Sequence, residues 1–581
     1  MGLNAYHGDS SACVVIDGKL VAAAEEERFR RIKHWAGFPS EAIRYCLNAA
    51  GLKPSDIHHV AVNRDPGENA LRKILFTISK KPDLKAVKDR LKNAAKMGNL
   101  RSVLCQSLGV SEGEVKAKVH NVEHHRAHLA SSFFVSPFDR SALVSVDGFG
   151  DFVSTMWGEG SQNKIQVKDR VYFPHSLGIF YLAMTQYLGF MEYGDEYKVM
   201  GLSAYGEPTE IERLRKIAKL KPKGKFELAL DFFLHHSSGV SMTWDGGKPV
   251  IGKVYSDKWC ELLGPARKKG EPVTDRHENI AASLQFIYEE AFFHLLNHVY
   301  ARTKNPNLCL AGGCALNSVA NGKIFERTKF KSLYIQCAAG DAGGAVGAAY
   351  YVWNHALKNP RSFVMDRAYF GPDFSRQEIK SEIDLWNERL KNGNCTFQTI
   401  EDEDRLCGET AKAIAEGKII GWFQGRMEWG PRALGNRSLL CDPRRADMKE
   451  ILNSRIKRRE AFQPFAPVIL REKMAEWFET DQDVPFMLEV YPIRKEKQGQ
   501  IPAVTHVNGS GRLQTVRREQ NPRYYKLIQK FHELTGVPVL LNTSFNENEP
   551  IVCTPKEAVD CFLRTGMDVL VIGNFMIKRE I

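Results

Sequence analysis

The sequence predicts an α/β protein of two domains, and three observations carry that prediction. At 581 residues the chain is too long for one ordinary core. Short apolar runs alternate with helical stretches, the pattern of a sheet layered with helices. Three apolar strands also end in turns of small or acidic residues, at His7-Gly8-Asp9-Ser10-Ser11, Asp147-Gly148 and Gly312-Gly313.

The elements follow in order. Leu3-Asn4-Ala5-Tyr6 reads as a first strand. After its turn, Ala12–Ile16 and Lys19–Ala23 flank Asp17-Gly18, a strong hairpin signal because both turn residues tolerate positive φ. Ala142–Val146 before Asp147, and Leu308–Ala311 before Gly312, repeat the strand-and-turn unit. Such turns let backbone amides approach a phosphate, so Gly312, Gly313, Asn317 and Asn321 are candidate cofactor contacts. Strand, turn and hairpin form the entry of actin-like and sugar-kinase-like (ribonuclease H-like) nucleotide folds, and the repetition predicts a duplicated fold of that kind. Composition shifts near Lys358-Asn359-Pro360-Arg361, which places a boundary between about 355 and 370. The first domain is thus expected over 1–358 and the second over 366–581. In the second, Asp402–Glu416 reads as a helix, and Ile419–Phe423, Val537–Leu541 and Val569–Ile572 as strands.

Composition excludes several classes. No window approaches eighteen apolar residues, and the start has neither a basic region nor a long apolar run, so no membrane span or signal peptide is expected. The twelve cysteines are scattered without a Cys-x-x-Cys pair and sit mostly in apolar runs, the usage of a reducing compartment and a cytoplasmic protein. The net charge of +12 comes partly from a lysine-rich stretch, about 68–118, whose interleaved leucines and alanines predict an amphipathic helical insert with Lys73, Lys80, Lys81, Lys85, Lys88, Lys92 and Lys96 on it.

His124 and His128 stand four residues apart, so on a helix both imidazoles leave one face and can share an ion. Asp147 after one strand and Asp341 in Gly340-Asp341-Ala342-Gly343 would complete a mixed nitrogen and oxygen set, which suits iron, zinc or manganese. In the second domain, Arg426, Arg432, Arg437, Lys457 and Arg459 cluster around Gly430-Pro431-Arg432. Arginine forks and a mobile lysine are what a phosphorylated donor beside ATP requires. Asn542 and Ser544 follow a strand and offer neutral hydrogen bonds to an amide or phosphate, whereas Arg444, Arg445 and Arg455 read as solvated.

With these residues stated, the chain resembles the carbamoyltransferase family of the nodulation-factor, cephalosporin and tobramycin carbamoylating enzymes. The stretches that carry the resemblance run nearly from end to end. They are Ala23–Phe29, Glu123–His128, Lys198–Leu202, Gly312–Asn317, Gly340–Gly343, Gly430–Ser438 and Leu541–Asn546. The resemblance implies an N-terminal domain similar to the tRNA threonylcarbamoyl-transfer enzymes and a YrdC-like α/β C-terminal domain. It implies that the second domain makes carbamoyl-adenylate from carbamoyl phosphate and ATP with Mg²⁺, and that an iron-bearing first domain passes the carbamoyl group to a hydroxyl of a small acceptor. Carried over by position, the ligands would be His124, His128, Asp147 and Asp341, with His7, Asp9, Lys33 and Lys198 near the acyl group. His7-Gly8-Asp9 departs by one residue from the His-Asp form of some members, and Asn508 stands where aspartate is usual. His7, His125 and Lys33 are the candidates for accepting the hydroxyl proton. A homodimer is compatible with the resemblance, and no nucleic acid is expected, since no aromatic-basic RNA platform is visible.

Two other classes stay open at this stage. A tRNA-modifying enzyme fits the positive charge and the kinship of both domains. A non-catalytic actin-like ATP-binding protein fits the first domain but leaves the second domain's arginines without a task. Hydrogenase maturation, which also carbamoylates, would need Cys-x-x-Cys motifs that are absent.

Overall fold

The computed structural model describes residues 1–80, 99–237, 242–243 and 246–580. The chain divides into two units, Met1–Met365 and Asp366–Ile581.

Unit one holds two five-stranded sheets. The first contains β1 (Gly2–Asn4), β2 (Ser11–Ile16), β3 (Lys19–Glu25), β4 (His59–Val62) and β5 (Lys118–Asn121), in the order β3-β2-β1-β4-β5. The hairpin strands β1, β2 and β3 are antiparallel, whereas β4 and β5 run parallel to β1. The second contains β6 (Arg140–Gly150), β7 (Val153–Ser161), β8 (Lys164–Tyr172), β13 (Asn307–Ala311) and β14 (Ser332–Ile335), in the order β14-β13-β6-β7-β8. Here β6, β7 and β8 are antiparallel and β13 and β14 run parallel to β6. Both sheets therefore carry one connectivity, three antiparallel strands in series and then two parallel strands on the far side of the first. This is the duplicated ribonuclease H-like architecture of the actin and sugar-kinase folds. Two short hairpins, β9 (Ala218–Lys221) with β10 (Lys225–Leu228) and β11 (Met242–Thr243) with β12 (Val250–Ile251), lie between the halves of the second sheet in sequence.

Local chemistry accounts for the elements that matter. Asp17 (φ 48°) and Gly18 (φ 80°) both take positive φ in the β2–β3 turn, as that hairpin requires. The helices His124–Phe133 and Gly343–Tyr350 bury nearly every side chain and are rich in Ala, Gly and Ser. A Cβ on Gly347 would lie 1.9 Å from the Ala127 carbonyl oxygen, so glycine lets the two helices touch backbone to backbone. Of the basic insert, the helices Ala70–Lys80 and Leu100–Leu108 are described; Lys81, Lys85, Lys88, Lys92 and Lys96 lie outside the described residues.

Unit two is an α/β domain on one mixed nine-stranded sheet. Its strands are β15 (Cys395–Thr399), β16 (Ile420–Phe423), β17 (Arg437–Cys441), β18 (Ala466–Leu470), β19 (Glu489–Pro492), β20 (Ser510–Val516), β21 (Val539–Ser544), β22 (Val569–Ile572) and β23 (Phe575–Arg579). They run in the order β15-β23-β22-β16-β17-β21-β18-β20-β19. The helix expected over Asp402–Glu416 spans Glu403–Ala415, with the Asp402 carboxylate accepting from the Arg405 amide at 2.7 Å.

Candidate active site

The helix His124–Phe133 begins where the Glu123 carboxylate caps it, accepting from the amides of His125 and Arg126. One turn apart, His124 and His128 aim Nε2 at a common point. Asp147 reaches that point from β6. Its Oδ1 accepts from the amides of Gly148 (2.8 Å) and Gly313 (3.0 Å), which leaves Oδ2 facing the histidines. Asp341 arrives from the turn before the helix Gly343–Tyr350, its Oδ2 accepting from His7 Nδ1 at 2.6 Å.

The four groups form a buried cluster whose ligand atoms all lie within 4.8 Å of one another. His128 Nε2 is 2.9 Å from Asp147 Oδ2 and 3.0 Å from His124 Nε2. His124 Nε2 is 3.1 Å from Asp147 Oδ2, and Asp341 Oδ1 lies 3.4 and 3.6 Å from the two Nε2 atoms. Donors held about 2.0–2.2 Å from one divalent ion stand roughly 2.9–3.5 Å apart, depending on coordination number. The edges of the cluster, 2.9 to 3.6 Å, are close to that range. Two Nε2 atoms carry at most two protons between them, too few to satisfy all these approaches as hydrogen bonds. Asp341 Oδ1 is buried with no hydrogen-bond partner among the described residues. The donor set fits a divalent transition metal.

Electrostatics agree. Burial alone would raise the Asp147 carboxyl, but its hydrogen bonds to His124 and His128 hold it well below the usual carboxylate range. Burial and the neighbouring Asp147 charge would raise Asp341, but the charge of His7, the approach of His128 and the His7 hydrogen bond outweigh them, holding the carboxyl at about 2. Both carboxylates are anionic at neutral pH, the form that ligates.

His125 belongs to the frame. Its Nε2 donates to the Val153 carbonyl at 3.0 Å and its Nδ1 accepts from the Ser145 hydroxyl at 2.8 Å. Burial, then the neighbouring His124 and His128, push its pKa well below the ordinary histidine value. It is a poor candidate for taking a substrate proton. Asn317 and Asn321 also serve the loop: Asn317 pairs its amide with Gln285 and caps Ala320, and the fully buried Asn321 donates to the Ala315 carbonyl. Bracing replaces the cofactor contact expected of their side chains. Gly312 shapes the turn through its backbone. At φ +92° its Cβ would meet the Val146 carbonyl at 2.2 Å, so glycine brings Gly313 onto Asp147.

Of the remaining candidates in unit one, His7 makes a hydrogen bond to the cluster. His7 touches Asp341, Asp9 pairs with His34 (Oδ1 to Nδ1, 2.7 Å), and Lys33 acts electrostatically on Glu27 and His34. Lys198 pairs with Asp195 at 3.0 Å. Two residues carry no signal in the sequence: His34, next to the candidate Lys33, and Asp151, whose carboxylate accepts from the His124 amide at 2.9 Å. No spacing rule marks either, because their partners are distant in sequence.

Gly150 supplies a test. A Cβ there would fall 2.0 Å from His124 Cγ, inside the ring's own volume. Gly150→Ala is expected to displace His124 and lower the metal content of the purified protein; full metal stoichiometry by elemental analysis would show that the turn yields instead.

In unit two the structure separates residues that the sequence grouped. Arg437 is completely buried, donating to the carbonyls of Gln424 (2.6 Å), Gly425 (3.0 Å), Asn436 (2.9 Å) and Pro372 (3.1 Å), with its guanidinium 3.6 Å from the Phe423 ring centre. It cannot grip a phosphate while making those bonds, which corrects the reading of Arg437 as a ligand contact. Asn542 is likewise buried and holds Ala433 O and Gln514. The Lys457 ammonium is nearly buried among Ser544 O, Ser544 Oγ, Asn546 O and Asn546 Oδ1, all within 3.2 Å. Arg426, Arg432 and Arg459 are half-buried, unlike Arg437, with Arg426 donating to Phe370 O at 2.7 Å and Arg459 lying over Phe465. The Gly430–Gly435 loop is organised by Glu428, whose Oε1 accepts from the amides of Leu434, Asn436 and Arg437. Arg444, Arg445 and Arg455 pair with Asp442, Asp447 and Asp568 near the surface.

Comparison with known proteins decides the family. The sequence model of the carbamoyltransferase N-terminus matches residues 1–350, and that of the carbamoyltransferase C-terminus matches 411–579. The chain belongs to the carbamoyltransferase family. The nodulation protein NolNO of Sinorhizobium fredii is 37% identical over 99% of this chain and 80% of its own length. The 3'-hydroxymethylcephem-O-carbamoyltransferase of Amycolatopsis lactamdurans is 34% identical over 80% and 81%. Uncharacterized protein sll1178 of Synechocystis sp. is 40% identical over 100% of this chain and 96% of its own. For this carbamoyltransferase the class of reaction is group transfer, which sets aside the reading as a non-catalytic actin-like protein. No helix among the described residues is long and apolar enough to cross a membrane.

Proposed function

We propose that the chain is an ATP-dependent O-carbamoyltransferase, which converts carbamoyl phosphate to carbamoyl-adenylate in unit two and transfers the carbamoyl group to a hydroxyl of a small-molecule acceptor in unit one. The buried His124, His128, Asp147 and Asp341 cluster, inside the region that matches the carbamoyltransferase N-terminus, carries the reading. Its kinship to an enzyme named for O-carbamoylation of a hydroxymethyl group supports a hydroxyl acceptor.

An alcohol is a weak nucleophile and a carbamoyl group a weak electrophile at neutral pH, so a good leaving group and charge neutralisation are both needed. In unit two, Arg426, Arg432 and Arg459 would bind the phosphates of carbamoyl phosphate and MgATP. Lys457, fixed by Ser544 and Asn546, would add a positive charge that cannot swing away. In unit one, the four-residue cluster would hold iron or a similar divalent metal, which supplies Lewis-acid stabilisation of anionic oxygen. His7 fixes Asp341 through its Nδ1–H, and the amides of Gly148 and Gly313 fix Asp147, so both carboxylates are oriented before any ligand arrives. Twelve cysteines, none in a disulfide and most of them buried, suit a reducing, cytoplasmic setting.

The half-reaction can be tested without the acceptor. Protein, MgATP and carbamoyl phosphate are incubated and followed by mass spectrometry. Pyrophosphate release with an AMP-linked carbamoyl product is expected. A folded, metal-loaded protein that consumes no ATP in response to carbamoyl phosphate would overturn the proposed donor chemistry.

A further inference from the structure

The turn that delivers His7 to Asp341 holds a second pair at its other end. Asp9 Oδ1 accepts from His34 Nδ1 at 2.7 Å. Asn4 Nδ2 secures this turn by donating to the carbonyls of Gly8 and Asp9, both at 2.9 Å. The loop after β3 supplies His34, and the Glu27 carboxylate accepts its backbone amide at 2.7 Å. Tyr193 packs its ring edge-on to His34 at 5.2 Å and lies against Gly8, where a Cβ would meet its hydroxyl at 2.4 Å. The Tyr193 phenol also feels the charges of Asp341, Asp9 and Asp147.

The backbone here is strained. Tyr6 (φ 55°), Asp9 (54°) and His34 (56°) adopt the left-handed region without being glycine, whereas Arg31 (58°) does so as the cap of the helix Glu27–Arg30. Both partners of the hydrogen-bonded pair, Asp9 and His34, are thus among the residues that carry this cost. The side chains of His34 (29%) and Asp9 (30%) keep access to solvent, unlike the buried ligands nearby.

We propose that His34, oriented by Asp9, is a catalytic imidazolium that donates from Nε2 to the phosphoryl leaving group during carbamoyl transfer. This rests on the reading above that the donor is a carbamoyl–phosphoryl mixed anhydride. In the step, the nucleophile forms a bond to the carbamoyl carbon while the carbon–oxygen bond to phosphorus breaks. The electron pair of that bond stays on the phosphoryl oxygen, and the nucleophile's proton passes to water. His34 keeps its own proton and stabilises the charge that gathers on that oxygen. The charged and titratable groups facing it are Asp9, Glu27, Lys33, Tyr193 and Glu196. Burial alone would lower its pKa, but Asp9 and then Glu27 outweigh burial and the opposing Lys33 and set it at about 9. The imidazolium is therefore present at neutral pH and is lost as pH rises through about 9.

The test uses the full, metal-loaded chain with MgATP, carbamoyl phosphate and hydroxylamine as the nucleophile. Hydroxyurea is measured from pH 6 to 10 and the enzyme-free background is subtracted. Pyrophosphate is followed in the same tubes, so a failure of donor activation is told apart from a failure of transfer. His34→Gln is expected to form hydroxyurea about a hundredfold more slowly than wild type, the low end for removing one donor to developing charge. It should also lose the alkaline decline near pH 9. Asp9→Asn should move that decline down by about one unit or more, because the neighbouring anion is gone. A His34→Gln profile that matches wild type, or an Asp9→Asn decline that stays in place, would overturn the proposal. Absence of both products in wild type would instead overturn the donor reading on which it rests.

Discussion

His124→Ala and Asp341→Ala are each expected to lose carbamoyl transfer by at least about a hundredfold and to purify with reduced metal, while donor-dependent pyrophosphate release continues. The magnitude follows from position. Changing residues that merely orient a metal ligand typically costs about 10- to 100-fold, so removing a ligand should cost at least the upper end. His124 Nε2 makes close approaches to His128, Asp147 and Asp341 alike, so its loss opens the cluster on three sides. Asp341 carries half of the cluster's carboxylate charge and is also the partner of His7, so Asp341→Ala removes a ligand and releases that imidazole. Activation should persist because the arginines assigned to it belong to unit two. Metal by elemental analysis, transfer to hydroxylamine and pyrophosphate release are three separate readouts. Normal metal content in both variants would remove the ligand assignment whatever happens to activity.

Arg437→Ala is expected to unfold unit two more readily, with a loss of about 3 kcal/mol or more. For a domain of this size that corresponds to roughly 6–12 °C in Tm. The guanidinium donates to four backbone carbonyls in a fully buried site and lies on the Phe423 ring. Truncation leaves those acceptors without donors and a void beside an aromatic face. Arg432→Ala, five positions earlier in the same motif, should do the opposite: near-normal melting, with donor-dependent pyrophosphate release lost. Its side chain is half-buried, where that of Arg437 is completely buried. Thermal melts of the two variants beside pyrophosphate release decide the matter. Equal melting of both would mean that burial does not distinguish their roles.

The pairing of these two arginines shows what the motif Gly430–Ser438 could and could not say. Its residue types called for cations around a glycine turn, and the cations are there. Which of them faces a ligand depends on β17 pairing with β16, because that register sets Arg437 opposite Phe423 and turns its fork onto the carbonyls of the loop. Glu428, which gathers the amides of Leu434, Asn436 and Arg437, carried no signal of its own. A lone carboxylate in Met427-Glu428-Trp429 resembles any other until the loop closes around it.

Where chemistry is local, the sequence by itself was decisive. Asp17-Gly18 set the first hairpin because its turn demands positive φ, and His124 and His128 share a face because the helix repeats every 3.6 residues. The recurring strand-and-turn units announced a duplicated fold for the same reason: each is a short-range pattern of apolar run and small residues. Only the tertiary structure decided that Asp147 and Asp341 meet the two histidines, that Asp9 finds His34, and that Asn317, Asn321, His125 and Arg437 brace the frame. Those outcomes depend on strand pairing and on burial, which fix how distant segments face one another and which polar groups must be satisfied within the protein.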